Sequence, residues 1–247
     1  WRKYKSAKIG CVLCFTIPAA FIGAARFRDY AADELKLTFL DVGHGQCAVL
    51  NCGGQTLVFD AGSLSRSDVG TSTAVPFLRY EGIEKIDAVF ISHDDIDHIN
   101  GIPEIAKLRR VKAVYGNTAF CKKPRSTSTK RALAAELSKS NLKIQAASER
   151  INFGNGLVLS FLWPLANGGN GRSDNDLSSV ILIEYGGRRV LLTGDIGKDV
   201  QQEIVNLYPQ TNADIVTLPH HGSRSSSSEK FIAAVNPRLC LASCGRK

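Results

Sequence analysis

Hydrophobic positions divide the 247-residue chain into one apolar block, a series of short strand-like runs and a few helical stretches. The block is "IGCVLCFTIPAAFIGAA", residues 9–25, 17 residues without a charge. Its length reaches the roughly 17–25 residues that cross a bilayer, and no polar face marks it as a core helix. From residue 35 the pattern changes. "LKLTFLDV" alternates with period two, "QCAVLNC" and "TLVFDAG" flank a Gly53-Gly54 turn, and "IDAVFISH" (86–93) is continuously apolar, as a strand buried on both faces is. "KAVYG", "LKIQAA", "LVLSFLWP", "SSVILIEYGG", "RRVLLTGD", "ADIVTLPH" and "PRLCLAS" also read as strands. Residues 71–81, "IPEIAKLRR", the end of "KKPRSTSTKRALAAELSKS", "GKDVQQEIVNLY" and "SSEKFIAAV" read as helices. Two groups of strands with helices between and outside them predict an α/β fold of two sheets packed face to face, helices on the outer surfaces. No internal repeat stands out. The polar motifs fall at strand ends, where open α/β folds place their ligands.

Composition fits a folded protein, with 44% hydrophobic residues and 22 glycines. "WRKYKSAK" puts four positive charges before the apolar block. A basic, apolar, then small-residue order also fits a signal peptide cleaved near "IGAA". The chain contains no methionine, so we expect a piece of a longer protein. Residues 1–34 are then a basic flank and the last span of a truncated membrane region. Residues 35–247 form a domain that breaks off after the strand-like "CLASCGRK". The positive-inside rule leaves the flank in the cytoplasm and the domain outside an inner (cell) membrane. Of the net charge of +8, residues 1–34 carry +3 (six basic, three acidic), leaving +5 for the rest. A mildly basic domain is compatible with a polyanionic substrate without demonstrating one. Seven cysteines are present. Cys11 and Cys14 lie inside the apolar block, which favours packing over zinc or redox chemistry. Cys47, Cys52, Cys121, Cys240 and Cys244 are scattered and are expected to be mostly small buried apolar groups; a disulfide among them is compatible with an extracytoplasmic domain.

The five histidines change the picture most. His44, His93, His98, His220 and His221 all lie in polar motifs at predicted strand ends or turns. "HDDIDH" follows a strand and sets His93, Asp95, Asp97 and His98 on one tight turn, with a helix opening at Gly101-Ile102-Pro103. Imidazole and carboxylate suit a divalent first-row metal. A solvated acidic turn is the plain alternative. "RRVLLTGD" places Asp195 just past a strand, as a ligand shared by two metals or as a helix N-cap. "VTLPHHGSRSSSS" places His220 and His221 past another strand, before a Gly-Ser loop that opens a helix and suits an anion, or is simply a flexible polar loop. Each stretch has a bland explanation alone. Three such stretches at the ends of buried strands are better explained by one site.

Together "FLDVGHGQCAVL", "LVFDAG", "SHDDIDHINGI", "SDNDLSSVILIEYGGRRVLLTGD" and "LPHHGS" resemble, in order over residues 35–247, the metallo-β-lactamase fold superfamily. The likeness is strongest to the C-terminal domain of the ComEC competence (DNA-internalisation) proteins. The resemblance implies a four-layer αββα sandwich with a dinuclear metal site, following a membrane helix. By motif position His93 and Asp95 would hold one metal, Asp97 and His98 the second, and Asp195 would bridge. One of His220 and His221 completes the set; we expect His221 as ligand, with His220 facing the substrate. His44, Asp60, Asn175, Ser178 and Ser223 are then substrate or supporting contacts. Asp95 stands where most of the superfamily has histidine, as is usual in the ComEC branch. Gln46 stands where that branch often has aspartate, Asn100 where glycine is common, and a later Asn…His-Pro segment is absent from this chain.

The implied chemistry is hydrolysis by water activated between two divalent ions, with Asp97 and His220 as catalytic groups. The oxygen-rich donor set leaves Mn²⁺ as strong a candidate as Zn²⁺. The expected substrate is incoming DNA, single-stranded or duplex, cleaved at the membrane as part of uptake, in company with other competence proteins. "CKKPRSTSTKRALAA" (121–135) holds five basic and no acidic residues and suits a phosphate backbone. Two alternatives stand beside this nuclease: a metallohydrolase of a small ester, lactam or thioester, and a non-catalytic module that guides DNA.

Overall fold

The structure, a computed structural model, describes residues 34–122, 127–165 and 171–245. The apolar block at 9–25 and its cysteines lie outside the described residues. Among those described, no helix is long and apolar enough to cross a membrane.

The first half of the chain supplies β1 (Leu35–Phe39), β2 (Ala48–Cys52), β3 (Gln55–Phe59), β4 (Lys85–Ile86), β5 (Ala88–Ile91), β6 (Arg110–Val111), β7 (Val114–Gly116) and β8 (Ile144–Ala146). Six of these form one sheet in the order β1-β2-β3-β5-β7-β8, and β4 and β6 form a small separate pair. The second half supplies β9 (Arg150–Gly154), β10 (Leu157–Trp163), β11 (Val180–Tyr185), β12 (Arg188–Leu192), β13 (Ile215–Thr217) and β14 (Leu239–Leu241), ordered β14-β13-β12-β11-β10-β9. Both sheets begin as antiparallel meanders and end in parallel strands. Each meander has a Gly-Gly hairpin, Gly53-Gly54 and Gly186-Gly187, with positive φ at all four residues. That is the two-residue turn whose twist matches the strands. Helices Val75–Tyr80, Ile102–Leu108, Ser128–Ser138, Lys198–Leu207 and Glu229–Val235 make the crossovers between parallel strands.

Alternation along the strands builds the layers. Leu50, Leu57, Phe59 and Phe90 of the first sheet meet Leu159, Ile181, Ile183 and Leu192 of the second in one inter-sheet core. Their neighbours Val49, Val58, Val89 and Ile91 point the other way, onto Leu78, Ile102, Ile105 and Leu137 of the helices. On the far side Leu182, Leu191 and Val216 pack under Val200, Ile204 and Phe231. This is a helix–sheet–sheet–helix sandwich, with both strand faces buried, and each large core side chain is worth about 1.5–3 kcal/mol. A register shift between Phe161 and Trp163 lets Leu162 and Trp163 share the outer core.

Three details differ from the sequence reading. The helix expected over 71–81 starts as a π-helical turn, Gly70–Ala74, before its α-helical part. β9 was not anticipated, because "RINFG" is short and half exposed. Of the five described cysteines, Cys47 and Cys52 are buried as expected, but Cys240 and Cys244 are exposed on and after the edge strand β14.

Candidate metal centre

Strands running in one direction deliver the polar residues to one end of the sandwich. His44 follows β1, Asp60 follows β3, and His93 follows β5. In the second sheet Asp195 follows β12, and His220 and His221 follow β13. "HDDIDH" winds directly into a short helix, Ile96–Ile99, which turns Asp97 and His98 back over the strand end. Asp195 does not cap the next helix; Gly197 does. That removes the plain alternative for this residue.

The donor atoms converge. His98 Nε2 lies 3.3 Å from Asp195 Oδ1 and 3.3 Å from His221 Nε2. His221 Nε2 lies 3.2 Å from Asp97 Oδ2 and 3.6 Å from Asp195 Oδ2. His44 Nε2 stands 3.6 Å from Asp97 Oδ2. His93 Nε2 has Asp95 Oδ2 at 3.5 Å and Asp195 Oδ2 at 3.9 Å, and among the described residues it is buried without a hydrogen bond. Two compact groups result, His93–His98–Asp195 and His44–Asp97–His221, each with donor atoms within 4.8 Å of one another. Bonds of about 2.0–2.2 Å to one ion leave neighbouring ligand atoms roughly 3–3.5 Å apart. The observed spacings and the orphaned His93 nitrogen therefore fit divalent metal. The grouping sets His98 with His93, whereas motif order pairs it with Asp97.

A second set of residues aims the first. Asp60 is buried in a left-handed conformation, φ 53°. Its Oδ1 accepts from the Ser92 N–H at 2.7 Å, and its Oδ2 lies 2.9 Å from His98 Nδ1 and accepts from the Gln46 amide at 3.2 Å. A carboxylate there keeps a proton on Nδ1, so that a metal would meet His98 at Nε2. Gln46, in the place of a familial aspartate, thus supports Asp60. The Ser92 hydroxyl lies 2.9 Å from His93 Nδ1 and 3.2 Å from His98 Nδ1. Asn117, just after β7, donates to the carbonyls of Ser92 and Leu177 and to the Ser179 hydroxyl, joining the two sheets behind the candidate donor groups. Ser178 accepts from the Asp195 N–H at 3.1 Å. Asn175 sits in the turn before it, its carbonyl accepting from the Ser178 N–H. Ser223 shapes the loop after the histidine pair through its carbonyl and a 2.8 Å hydroxyl contact with Ser225; the helix beyond starts only at Glu229. Ser92, Asn117, Ser226 and Gln201 carry no signal in the sequence, being ordinary polar residues whose partners lie far along the chain.

Close backbone approach fixes the loops. A Cβ on Gly62 would sit 2.3 Å from Asp97 C and His98 N, and one on Gly45 2.3 Å from Gly62 O. His220 and His221 both adopt left-handed backbone, φ 51° and 55°, at roughly 1–2 kcal/mol per residue. The His220 N–H to Gly194 carbonyl bond, 3.1 Å, helps hold them.

Electrostatics follow from this crowding. Burial opposes the charge on Asp195, yet His98, His93 and His221 outweigh it and hold its carboxyl well below the usual range. Burial likewise opposes Asp97, and contact with His221 and the charge of His98 outweigh it. His93 beside Asp95 holds that carboxyl low. Burial disfavours the His98 imidazolium, but Asp60 and Asp195 raise its pKa well above the ordinary value. A preformed negative pocket of this kind attracts cations.

This sandwich, with its ligands at one strand end, places the chain in a definite class: residues 40–245 match the Metallo-beta-lactamase superfamily, and the chain belongs to it. Its relatives narrow the class. It is 28% identical over 232 residues to ComE operon protein 3 of Bacillus subtilis (strain 168), covering 87% of this chain and 29% of that protein. It is 28% identical over 218 residues to competence protein ComA of Neisseria gonorrhoeae, covering 86% and 27%. The likeness to ComEC competence proteins thus holds over most of the chain, which spans between a quarter and a third of their length. Among solved structures, the metallo-β-lactamase fold protein YhfI of Bacillus subtilis superposes with a TM-score of 0.52 at 16% identity, covering 86% of this chain and 88% of that one.

Proposed function

We propose that this chain is the metal-dependent phosphodiesterase, or nuclease, domain of a membrane DNA-uptake protein. The observation that carries the reading is the convergence of two donor groups, His93–His98–Asp195 and His44–Asp97–His221, with Asp95 3.5 Å from a buried His93 nitrogen that has no hydrogen bond among the described residues. Of these, His93, Asp95, Asp97, His98, Asp195 and His221 would hold two divalent ions, Mn²⁺ or Zn²⁺. Asp195 touches both groups of donors, which supports a bridging place. His221 is buried among the carboxylates while the His220 side chain is 39% exposed, which supports His221 as the ligand. Bound ions supply Lewis acidity, neutralising phosphate charge and acidifying water. The protein's own part is to orient and exchange protons. Asp97 Oδ2 aligns the attacking water and takes its proton, and His220 Nε2 faces the leaving oxygen. Asn175 and Ser223 would contact the substrate.

DNA as substrate is supported by two features. The relatives are competence proteins. The basic stretch 121–135 is tied to the site where the Thr127 hydroxyl donates to Asp94, the residue after His93. The apolar block 9–25 would anchor the domain on the outer face of the cell membrane.

The test uses the full chain with single- and double-stranded DNA in Mn²⁺, Zn²⁺ or EDTA, beside Asp97→Ala and His221→Ala. Metal-dependent cleavage that falls by at least about 100-fold in both variants is expected. Cleavage of a lactam or thioester but not of DNA refutes the nuclease reading. Retarded DNA that no metal causes to be cut leaves a guiding module instead.

A further inference from the structure

His220 is held from behind by residues outside the ligand set. Its Nδ1 lies 3.1 Å from the Ser226 hydroxyl, while its Nε2 points toward Asp195 Oδ2 at 3.9 Å. Ser226 is buried, and its carbonyl accepts from the Gln201 side-chain amide. Gln201 lies on the helix Lys198–Leu207 yet is wholly buried. The same amide nitrogen donates to the Ile196 carbonyl at 3.1 Å, and the amide oxygen accepts from the Ser228 N–H at 3.1 Å. Ile196 follows Asp195, and Ser228 caps the helix Glu229–Val235 through the Phe231 N–H. One side chain therefore joins the Asp195 loop to the serine loop.

A buried glutamine is costly to desolvate, and an aliphatic residue would pack the same helix face without that cost. What the glutamine adds is three directed bonds, all to the two loops that flank His220. They brace a histidine whose backbone, like that of His221, is left-handed and needs support. The contrast with His98 is informative. There a carboxylate, which only accepts, faces Nδ1 and keeps a proton on it. Behind His220 stands a hydroxyl, which can donate.

We propose that Ser226 and Gln201 are positioning residues that set the ring direction and tautomer of His220. The Ser226 hydroxyl donates to Nδ1, so the ring proton resides on Nε2, facing the leaving oxygen. This rests on the phosphodiesterase reading, deepening it. A hydrogen-bond donor aimed at the leaving oxygen matters more for an alkoxide, whose charge needs stabilising, than for a nitrophenolate, which departs unaided. A dinucleotide and bis(p-nitrophenyl) phosphate therefore separate positioning from general damage.

The experiment compares the parent full chain, Mn²⁺-loaded, with His220→Ala, Ser226→Ala and Gln201→Glu on both substrates, with metal content measured by elemental analysis. Histidine ¹⁵N NMR of the metal-free chain, with His220 assigned by its loss in His220→Ala, reads the tautomer directly. Expected are a loss of about 10- to 100-fold on the dinucleotide in the Ser226 and Gln201 variants, nitrophenyl ester turnover and metal content near the parent, and an Nε2–H signal for His220 that shifts in Ser226→Ala. Equal losses on both substrates, full activity on both, or a parent His220 protonated on Nδ1 overturn the proposal. Should Gln201→Glu fail to fold, Ser226→Ala, which deletes one hydroxyl, decides alone. If the parent cleaves neither ester, the phosphodiesterase reading has failed, and the NMR result still decides the tautomer.

Discussion

Replacing Asp60 by asparagine tests the centre where its geometry is most constrained. The carboxylate serves three donors, the Ser92 N–H, the Gln46 amide and His98 Nδ1. Asparagine keeps the shape but turns one acceptor into a donor. If the new amide replaces Oδ1, it confronts the Ser92 N–H. If it replaces Oδ2, it confronts the Gln46 amide, and His98 can pair with it only by moving its proton to Nε2. Every arrangement that keeps the Gln46 amide in place leaves a buried donor unpaired, which costs about 1–3 kcal/mol. The second also blocks the His98 nitrogen that faces Asp195. Outer partners of this kind are worth about 10- to 100-fold in metal affinity, or roughly 1.4–2.8 kcal/mol. Asp60→Asn should therefore lower the urea midpoint in EDTA and, separately, weaken Zn²⁺ or Mn²⁺ binding in a calorimetric titration. An Asp60→Asn protein that binds either metal as tightly as the parent would falsify the assignment of His98 Nε2 to the metal set.

Two further predictions concern stability. Gly62→Ala drives a Cβ into the backbone of Asp97 and His98, and should cost at least about 2 kcal/mol in urea unfolding while weakening metal binding; an unchanged midpoint would show that the loop contact is slack. In the metal-free chain His98 has a raised folded pKa, so its contribution is fully present below the unfolded value of about 6.5 and is lost as pH rises through the folded value. The stability difference between parent and His98→Gln, measured in EDTA from pH 6 upward, should shrink with rising pH, and a difference that grows would reverse the assigned sign.

How far the sequence speaks depends on the range of the contact that fixes each feature. β5 was legible because a strand buried on both faces is apolar at every position, and β11 and β12 because each carries an unbroken buried apolar run, Val180–Ile183 and Val190–Leu192. β9 was not, since alternate residues face solvent, and β4 and β6 hold two residues each. The short helix Ile96–Ile99 has no pattern long enough to show. In the site, His93, Asp95, Asp97 and His98 were legible because six neighbouring positions carry them. Ser92, Asn117, Gln201 and Ser226 were not. Asn117 meets Ser179 across 62 positions, and Gln201 meets Ser226 across 25. Nothing in a lone serine or glutamine signals a partner so distant.

The two halves of the chain repeat one plan, a meander with a Gly-Gly hairpin followed by parallel strands, although their sequences show no repeat. Their active ends meet. The first half brings His44, His93, Asp95, Asp97 and His98; the second brings Asp195, His220 and His221. Neither half alone closes either donor group, because His93 and His98 need Asp195, and His44 and Asp97 need His221. What brings the halves into register is the inter-sheet core around Phe59, Phe90, Ile181 and Leu192, with Asn117 as a polar bridge from Ser92 to Leu177 and Ser179. Metal affinity and sheet packing therefore draw on the same contacts. An ion that binds only the packed state stabilises it by mass action. Loosening the inter-sheet core, as Phe90→Ala would, weakens the site through that linkage while leaving every donor side chain in the sequence.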